Sequence, residues 1–253
     1  MAQALEQIPM TTLYDADSLE NIANRLEYAQ PSEIIEWAFG QYGDRVAIAT
    51  GFGAEGAAMI DMAAKIDSAA KIFFLDTGFL FPETYELRKR IEDRYGVRIR
   101  SFESEFSPED QEALYGPDLW SRAPDLCCEI RKLEPLKEAL SGLDGWITAI
   151  RRDQTAARAS ARAVEWDVQW QLVKINPLFR WTRGEVWNYI RRNDVPYNPL
   201  HDSGYPSIGC THCTRAVTDG EDERAGRWAG QEKTECGLHA GPNGLVRISS
   251  VSI

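Results

Sequence analysis

Apolar and polar positions along the chain follow two different periodicities. Short runs that are apolar almost throughout are typical of buried strands, and the strands they predict are residues 46–49, 71–76, 97–102, 146–150 and 172–175. Elsewhere apolar residues recur every three or four positions, and the helices that this spacing predicts are residues 17–28, 32–39, 57–65, 82–95, 130–140 and 182–192. The alternation of strands and helices predicts an α/β fold with a doubly wound, mostly parallel sheet.

Three loops that follow predicted strands carry unusual residue types. Residues 51–56 are rich in glycine, residues 77–81 follow a buried strand, and residues 151–158 contain three arginines. Because ligands of doubly wound sheets bind at the carboxyl ends of the strands, we expect these loops to converge on one crevice. The glycine-rich loop lacks both the GxxxxGK[ST] and the GxGxxG pattern, so P-loop ATP hydrolysis and Rossmann-type NAD binding are disfavoured.

Composition and charge narrow the class of protein further. The chain has 253 residues, of which 43% are hydrophobic and 26% charged, as in a folded domain with a substantial core. Its 39 acidic residues outnumber 28 basic ones, and the net charge of −11 disfavours extended contact with nucleic acid. The amino terminus lacks the pattern of an export signal and no apolar run reaches about 18 residues. We therefore expect a cytoplasmic protein with neither nucleic acid nor membrane as partner.

Four of the five cysteines fall into two pairs, Cys127 with Cys128 and Cys210 with Cys213. Two such pairs supply the four sulfurs that tetrahedral zinc or an iron–sulfur cluster requires. Adjacent cysteines are unusual for structural zinc, and their presence therefore favours a [4Fe–4S] cluster. Zinc, a thioredoxin-like redox pair at the CxxC motif and buried thiols without a metal remain as alternatives.

The fifth cysteine, Cys236, lies between Lys233 and His239. Nearby cations favour the thiolate, which is the form that attacks electrophiles, so Cys236 is a candidate nucleophile. The alternative interpretation is an unreactive cysteine in a tail, since the regular pattern of strands and helices fades beyond about His201.

Basic residues at three places are candidates for binding an anion. Arg151 follows a predicted strand, Lys132 follows the double cysteine, and Arg224 and Arg227 precede Trp228. Guanidinium groups suit phosphate or sulfate oxygens. The alternatives are solvated surface cations and salt bridges within a helix.

The segments LDTGFLFPETYEL, CCEIRKLEPL, AIRRDQ, GCTHC and KTECGLH resemble the assimilatory adenylyl-sulfate reductases, over roughly Ala47 to His239. These enzymes share their fold and the terminal ECG(L/I)H motif with the 3′-phosphoadenylyl-sulfate reductases, and the double cysteine with the CxxC motif marks the iron–sulfur branch. The resemblance implies a fold of the adenine nucleotide alpha-hydrolase type. We expect a nucleotide- and cluster-binding domain over residues 1–213 and a mobile tail with the nucleophile over residues 214–253.

The reaction that the resemblance implies is the reduction of adenosine 5′-phosphosulfate to sulfite and AMP, in assimilatory sulfate reduction. Thioredoxin supplies the electrons and an S-sulfocysteine is the intermediate. The resemblance also allows a homo-oligomer. Two alternatives stay open, namely reduction of the 3′-phosphorylated nucleotide and a metal-bearing redox sensor that binds nucleotide without turnover.

The site residues carry over by the same resemblance. Cys236 is implied as the nucleophile, Lys132 and His239 support it, and the ligands of the [4Fe–4S] cluster are Cys127, Cys128, Cys210 and Cys213. The residues implied to line the adenosine and ribose pocket are Gly53, Ala54, Glu55, Leu75, Asp76, Thr77 and Gly78. Those implied to meet the phosphosulfate and the base are Arg151, Arg224, Arg227 and Trp228. One departure is Gly56, where the family commonly has an acid, and this puts the polar contacts of the first loop in doubt.

Overall fold

A six-stranded sheet with the order β3-β2-β1-β4-β6-β5 organises the chain. In the computed structural model, which describes residues 16–231, 233 and 235–239, the strands are β1 (Val46–Ala49), β2 (Ile72–Asp76), β3 (Ile99–Glu103), β4 (Gly145–Ile147), β5 (Val164–Asp167) and β6 (Leu172–Ile175). All neighbours pair in parallel except β5, which pairs antiparallel with β6 at the sheet edge. The predicted α/β fold with a doubly wound, mostly parallel sheet is therefore confirmed.

The direction of winding reverses between β1 and β4. The chain moves from β1 outward to β2 and β3, then returns to the other side of β1 to form β4. Such a switch point leaves a crevice at the carboxyl ends of the two central strands, where ligands of this class of fold bind.

Helices cover both faces of the sheet. They are α1 (Ala16–Leu26), α2 (Pro31–Tyr42), α3 (Ala54–Ile66), α4 (Pro82–Tyr95), α5 (Pro108–Tyr115), α6 (Leu119–Arg122), α7 (Pro124–Cys128), α8 (Glu134–Leu140) and α9 (Arg183–Asn193). Side chains alternate across a strand, so Ile72 and Phe74 face one core layer while Phe73 faces the other. The layer beneath Phe73 is built with residues of α8 such as Leu136 and Leu140.

A π-helical turn, Glu129–Leu133, joins α7 to α8. Its side chains Arg131 and Lys132 are both buried, and π-helical turns are frequent at functional sites. Arg131 donates hydrogen bonds to the Gln111 side chain at 2.8 Å and to the carbonyl oxygens of Phe106 at 2.9 Å and Ser107 at 2.7 Å. These bonds fix the helical segment with the double cysteine against the loop after β3.

None of the helices in the described part of the chain combines the length and the apolar character needed to cross a bilayer. The expected tail begins at residue 214, and its described part contains neither helix nor strand. Residues 240–253, which belong to the same expectation, lie outside the described residues.

Candidate active site

A cavity of about 250 Å³ lies at the switch point of the sheet. Thr50 and Gly51 follow β1 and Thr148 follows β4, and all three line it. The remaining walls come from Lys132 and Leu136 and from the segments 53–56, 73–80, 154–158, 206–210, 223–227 and 236–239. The prediction that the three loops converge on one crevice is confirmed.

The structure separates the predicted substrate-binding residues into two groups. Those that line the cavity are Gly53, Glu55, Leu75, Thr77, Arg224 and Arg227. Those that do not appear among its lining residues are Ala54, Asp76, Gly78, Arg151 and Trp228. Asp76 accepts hydrogen bonds from the Tyr85 hydroxyl at 2.7 Å and from the Gly78 amide at 3.0 Å, so it shapes the loop that carries Thr77.

Arg151 is enclosed by carboxylates and does not face the cavity. Its side chain is 1% exposed, its Nε lies 2.9 Å from Glu55 and its Nη2 lies 3.1 Å from Glu223, while Nη1 bonds to Asp153. The guanidinium therefore ties three segments of the cavity wall together. The arginine of this loop that does line the cavity is Arg158, which no sequence motif singled out.

Gly56 is explained by its contact with Thr50. A Cβ atom at position 56 would lie 2.6 Å from Thr50 Oγ1, closer than any side chain could approach. The Thr50 hydroxyl also accepts a hydrogen bond from the Phe52 amide at 3.1 Å. The first turn of α3 thus packs directly on Thr50, and this hydroxyl supplies a polar contact in the loop that lacks the family's acid.

Cys236 lines the cavity on a segment that folds over it. Gly237 takes a φ of +85°, which favours glycine, and a Cβ atom there would lie 3.5 Å from Leu133, so the backbone packs close to the π-helical turn. Burial raises the pKa of the Cys236 thiol, but Lys132, the Leu238 amide and Arg227 outweigh it and the pKa falls below its usual value. The site therefore favours the thiolate, which is the nucleophilic form.

Lys132 lies between Cys236 and the paired cysteines. It lines both the large cavity and a smaller one that holds Cys127, Cys128, Cys210 and Cys213. Burial alone would lower the pKa of Lys132, but the negative charge of Cys210, Cys236 and Cys128 raises it, so the ammonium stays charged. Lys132 thus lowers the pKa of Cys236 and opposes the rise that burial causes in the pKa of Cys128.

Trp228 is 3% exposed and forms a platform for three cations. The Arg227 guanidinium lies 4.5 Å from the ring centroid, and the ammonium groups of Lys233 and Lys132 lie at 5.6 Å and 6.0 Å. The negative face of an indole ring attracts such groups. Trp228 therefore contacts the cations of the site without lining the cavity itself.

His239 stacks on Trp146, with ring centroids 5.5 Å apart and an interplanar angle of 21°. Burial, then the charges of Lys174, Arg158 and Arg224, hold the pKa of His239 well below its usual value. The imidazole is therefore neutral at physiological pH. Its Nδ1 is buried and has no hydrogen-bond partner among the described residues.

The four paired cysteines face one small cavity, together with Trp120, His212 and Lys132. Cys127 and Cys128 end α7, and the Cys210 thiol lies 3.3 Å from the Thr77 hydroxyl. Burial and the neighbouring thiols raise the pKa of Cys127 to about 12 and that of Cys213 to about 11. Four thiols gathered in this way suit a centre that supplies positive charge.

Within the described ranges, no group of three or more His, Cys, Asp or Glu side chains is arranged around a single metal-ion position. A four-iron cluster makes a different demand, because it binds one thiolate at each of four irons spread over a larger volume. The four sulfurs that line one cavity match that demand in the number and kind of ligands.

A switch-point cavity is where doubly wound sheets bind nucleotides, and a thiolate inside it adds nucleophilic chemistry. The fold and the site thus define a class, the doubly wound α/β proteins with a switch-point cavity of the nucleotide-binding type and a cysteine inside it. Within this class the chain belongs to the phosphoadenosine phosphosulfate reductase family, because the model of the phosphoadenosine phosphosulfate reductase domain matches residues 45–216.

Relatives at high identity carry a narrower name. The chain is 50% identical over 208 residues to adenosine 5′-phosphosulfate reductase 2 of Bacillus subtilis (strain 168), which covers 82% of this chain and 88% of that protein. It is 45% identical over 245 residues to the adenosine 5′-phosphosulfate reductase of Shouchella clausii, with 96% and 99% covered. The family resemblance stated from the sequence is confirmed.

Solved structures agree on the fold. The phosphoadenylyl-sulfate reductase of Candida auris is similar with a TM-score of 0.72 and 28% identity, over 84% of this chain and 100% of that chain. An FMN adenylyltransferase of Candida glabrata matches with a TM-score of 0.55 and 12% identity, over 79% and 66% of the two chains. The second match concerns the fold alone.

Proposed function

We propose that this chain reduces adenosine 5′-phosphosulfate to sulfite and AMP, with electrons from thioredoxin and through an S-sulfocysteine on Cys236. The observation that carries the proposal is the position of Cys236, next to Lys132 and in a nucleotide-type cavity that also contains Arg158, Arg224 and Arg227. The relatives named adenosine 5′-phosphosulfate reductases support the choice of substrate.

In the first step the Cys236 thiolate attacks the sulfur of the substrate's sulfonate group. A sulfur–sulfur bond forms, the bond between sulfur and the bridging oxygen breaks, and AMP leaves with that electron pair. Lys132 and Arg227 lower the pKa of the thiol before the attack. The cavity cations also compensate the negative charge of the sulfonate and of the leaving phosphate.

In the second step a thioredoxin thiolate attacks Cys236 Sγ and sulfite leaves with the electron pair of the sulfur–sulfur bond. The mixed disulfide is then resolved by the second thioredoxin thiol, which returns Cys236 as a thiolate and leaves thioredoxin oxidised. Two electrons from thioredoxin thus appear in sulfite. The cysteine segment must leave the cavity for this exchange, which is the role we propose for a mobile tail.

The cofactor in this proposal is a [4Fe–4S] cluster held by Cys127, Cys128, Cys210 and Cys213. When bound, the cluster core would offset part of the charge of the four thiolates, leaving a net negative centre beside Lys132, and it would link the helical segment to the loop with the CxxC motif. Lys132 then lies beside both the cluster ligands and the substrate cavity. All five cysteines are free thiols in the structure, which suits the reducing cytoplasm that we propose as location.

The test is intact-protein mass spectrometry after adding adenosine 5′-phosphosulfate without thioredoxin, followed by peptide mapping. We expect one sulfonate on Cys236, removed by reduced thioredoxin with release of sulfite. An adduct formed only with the 3′-phosphorylated nucleotide would reassign the substrate. Absence of an adduct with both nucleotides would contradict the proposal and favour a sensor that binds nucleotide without turnover.

The cluster is tested separately by Cys213→Ser. We expect anaerobically purified wild-type protein to contain iron and acid-labile sulfide near four of each per chain, and the variant to lose most of both, because one ligand of the cluster is missing. Elemental analysis checks the result. One zinc per chain in the wild type, or full iron content in the variant, would show that the ligand assignment is wrong.

A further inference from the structure

We propose that Glu235 is a positioning residue that holds Cys236 over the cavity by pairing with two of the arginines that face the substrate. This inference rests on the proposed function, because it takes the ligand of the cavity to be an anionic nucleotide. As a consequence, the same two arginines, Arg158 and Arg224, hold the segment with the nucleophile and bind the anionic substrate.

The contacts of Glu235 cross the cavity wall. Its carboxylate lies 2.8 Å from Arg158 Nη2 and 3.4 Å from Arg224 Nη2, and it accepts a hydrogen bond from the Thr155 hydroxyl at 3.1 Å. Arg158 Nε also donates to it at 3.0 Å. These contacts join a residue adjacent to Cys236 to the loop after β4.

The environment makes these ion pairs stronger than surface pairs. The side chains of Glu235, Arg158 and Arg224 are only 14%, 10% and 14% exposed. Burial raises the pKa of Glu235, but Arg158 and Arg224 outweigh it and hold the pKa below its usual range. The carboxylate is therefore ionised, and partly desolvated pairs of this kind resist separation better than exposed ones.

The same two arginines line the cavity while Glu235 is not among its lining residues. Two other contacts of this segment, residues 233 and 235–239, do not involve these two arginines. The Trp170 indole donates to the Leu238 carbonyl oxygen at 3.4 Å, and Lys233 pairs with Asp125. Glu235 is thus the carboxylate of the described segment that ties it to Arg158 and Arg224.

Loss of the Glu235 charge should change nucleotide binding and the reaction of Cys236 in opposite directions. Removing the Glu235 charge leaves two partly buried arginines without this carboxylate, and an anion that enters the cavity then compensates them. The variant should bind an anionic nucleotide more tightly. Its nucleophile should be held less well, because the segment has lost its ion pairs. A residue that only supported the shape of the site would weaken binding and reaction together.

The experiment compares Glu235→Gln with two other variants of the holoenzyme. Thr155→Val removes one hydrogen bond to Glu235 and leaves both arginines, and Glu221→Gln is the matched control, since Glu221 pairs with Arg215 at 2.8 Å on the exposed surface. The measurements are the dissociation constant for AMP, the rate of Cys236 sulfonation at saturating substrate, and the plateau rate of Cys236 alkylation by iodoacetamide at high pH.

For Glu235→Gln we expect at least threefold tighter binding of AMP, at least tenfold slower sulfonation and several-fold faster alkylation. Thr155→Val should change alkylation in the same direction by a smaller factor, and Glu221→Gln should match the wild type. The plateau at high pH is compared because removing Glu235 also lowers the pKa of Cys236, and at high pH Cys236 is a thiolate in every variant.

Weaker binding of AMP by Glu235→Gln, or unchanged alkylation and sulfonation, would overturn the inference. If Glu235→Gln does not fold, unchanged alkylation in Thr155→Val overturns it. Failure of the proposed function looks different, since the wild type itself would then form no sulfonate on Cys236 with either nucleotide.

Discussion

Cys236→Ser should lose both sulfonation and turnover, by a factor on the order of 10⁴ or more, as is typical when an enzyme loses its nucleophile. The hydroxyl is a far weaker nucleophile at neutral pH than the thiolate that Lys132 and Arg227 favour here. The measurement is sulfite release with reduced thioredoxin, together with mass spectrometry of the variant after exposure to adenosine 5′-phosphosulfate.

The control for this prediction is the iron content and the AMP binding of Cys236→Ser, which do not depend on the nucleophile. Cys236 lines the nucleotide cavity and is absent from the small cavity with the paired cysteines, so iron content and AMP binding should match the wild type. Cys213→Ser is the opposite case, with iron lost and Cys236 present. Loss of iron from Cys236→Ser would show that the division of the cysteines into four ligands and one nucleophile is wrong.

The sheet and the crevice could be predicted because their sequence patterns are typical of few other structures. Buried parallel strands such as Ile72–Asp76 read as continuous apolar runs, and topology then brings the loops after them to one edge of the sheet. The cysteines were found for a different reason, since their pairing in sequence already suggests their chemistry. The structure places all five along two adjoining cavities.

Elements without a strong apolar period escaped prediction. Helix α5 has one buried residue, Gln111, and so lacks the pattern of a core-facing helix. Strand β5 reads VEWD, an alternation of apolar and polar residues that is only four residues long and too short to predict a strand by itself. Helices α6 and α7 span only four and five residues, too short for a helical period to be read. Their positions are set by tertiary contacts, such as those that Arg131 makes with the loop before α5.

The partners of charged side chains were the part of the site least accessible from sequence. Arg151 and Arg158 both follow β4, yet three carboxylates enclose the first and the second faces the cavity. Which carboxylate meets which arginine depends on contacts between segments far apart in the sequence, such as Arg151 with Glu55, 96 positions away. Glu235 could have been noticed from its position next to Cys236, but its two arginine partners could not.

Lys132→Met should raise the pKa of Cys236 and slow its reactions at neutral pH. Burial favours the neutral thiol, and Lys132 is the largest of the influences that oppose it, so without the ammonium the pKa moves upward. Below the pKa, each unit of increase lowers the thiolate fraction about tenfold. We therefore expect alkylation by iodoacetamide at pH 7 to fall about tenfold or more, and the rate profile to move toward higher pH.

A neutral alkylating agent separates this effect from substrate binding. Raising the pH should restore alkylation of Lys132→Met to near the wild-type plateau, whereas sulfonation by adenosine 5′-phosphosulfate should recover only in part, because Lys132 also lines the cavity that takes the sulfonate. Lys137→Gln, on the exposed face of α8, is the matched control and should leave both profiles unchanged. An unshifted alkylation profile in Lys132→Met, with a normal unfolding transition, would show that the buried ammonium does not activate Cys236.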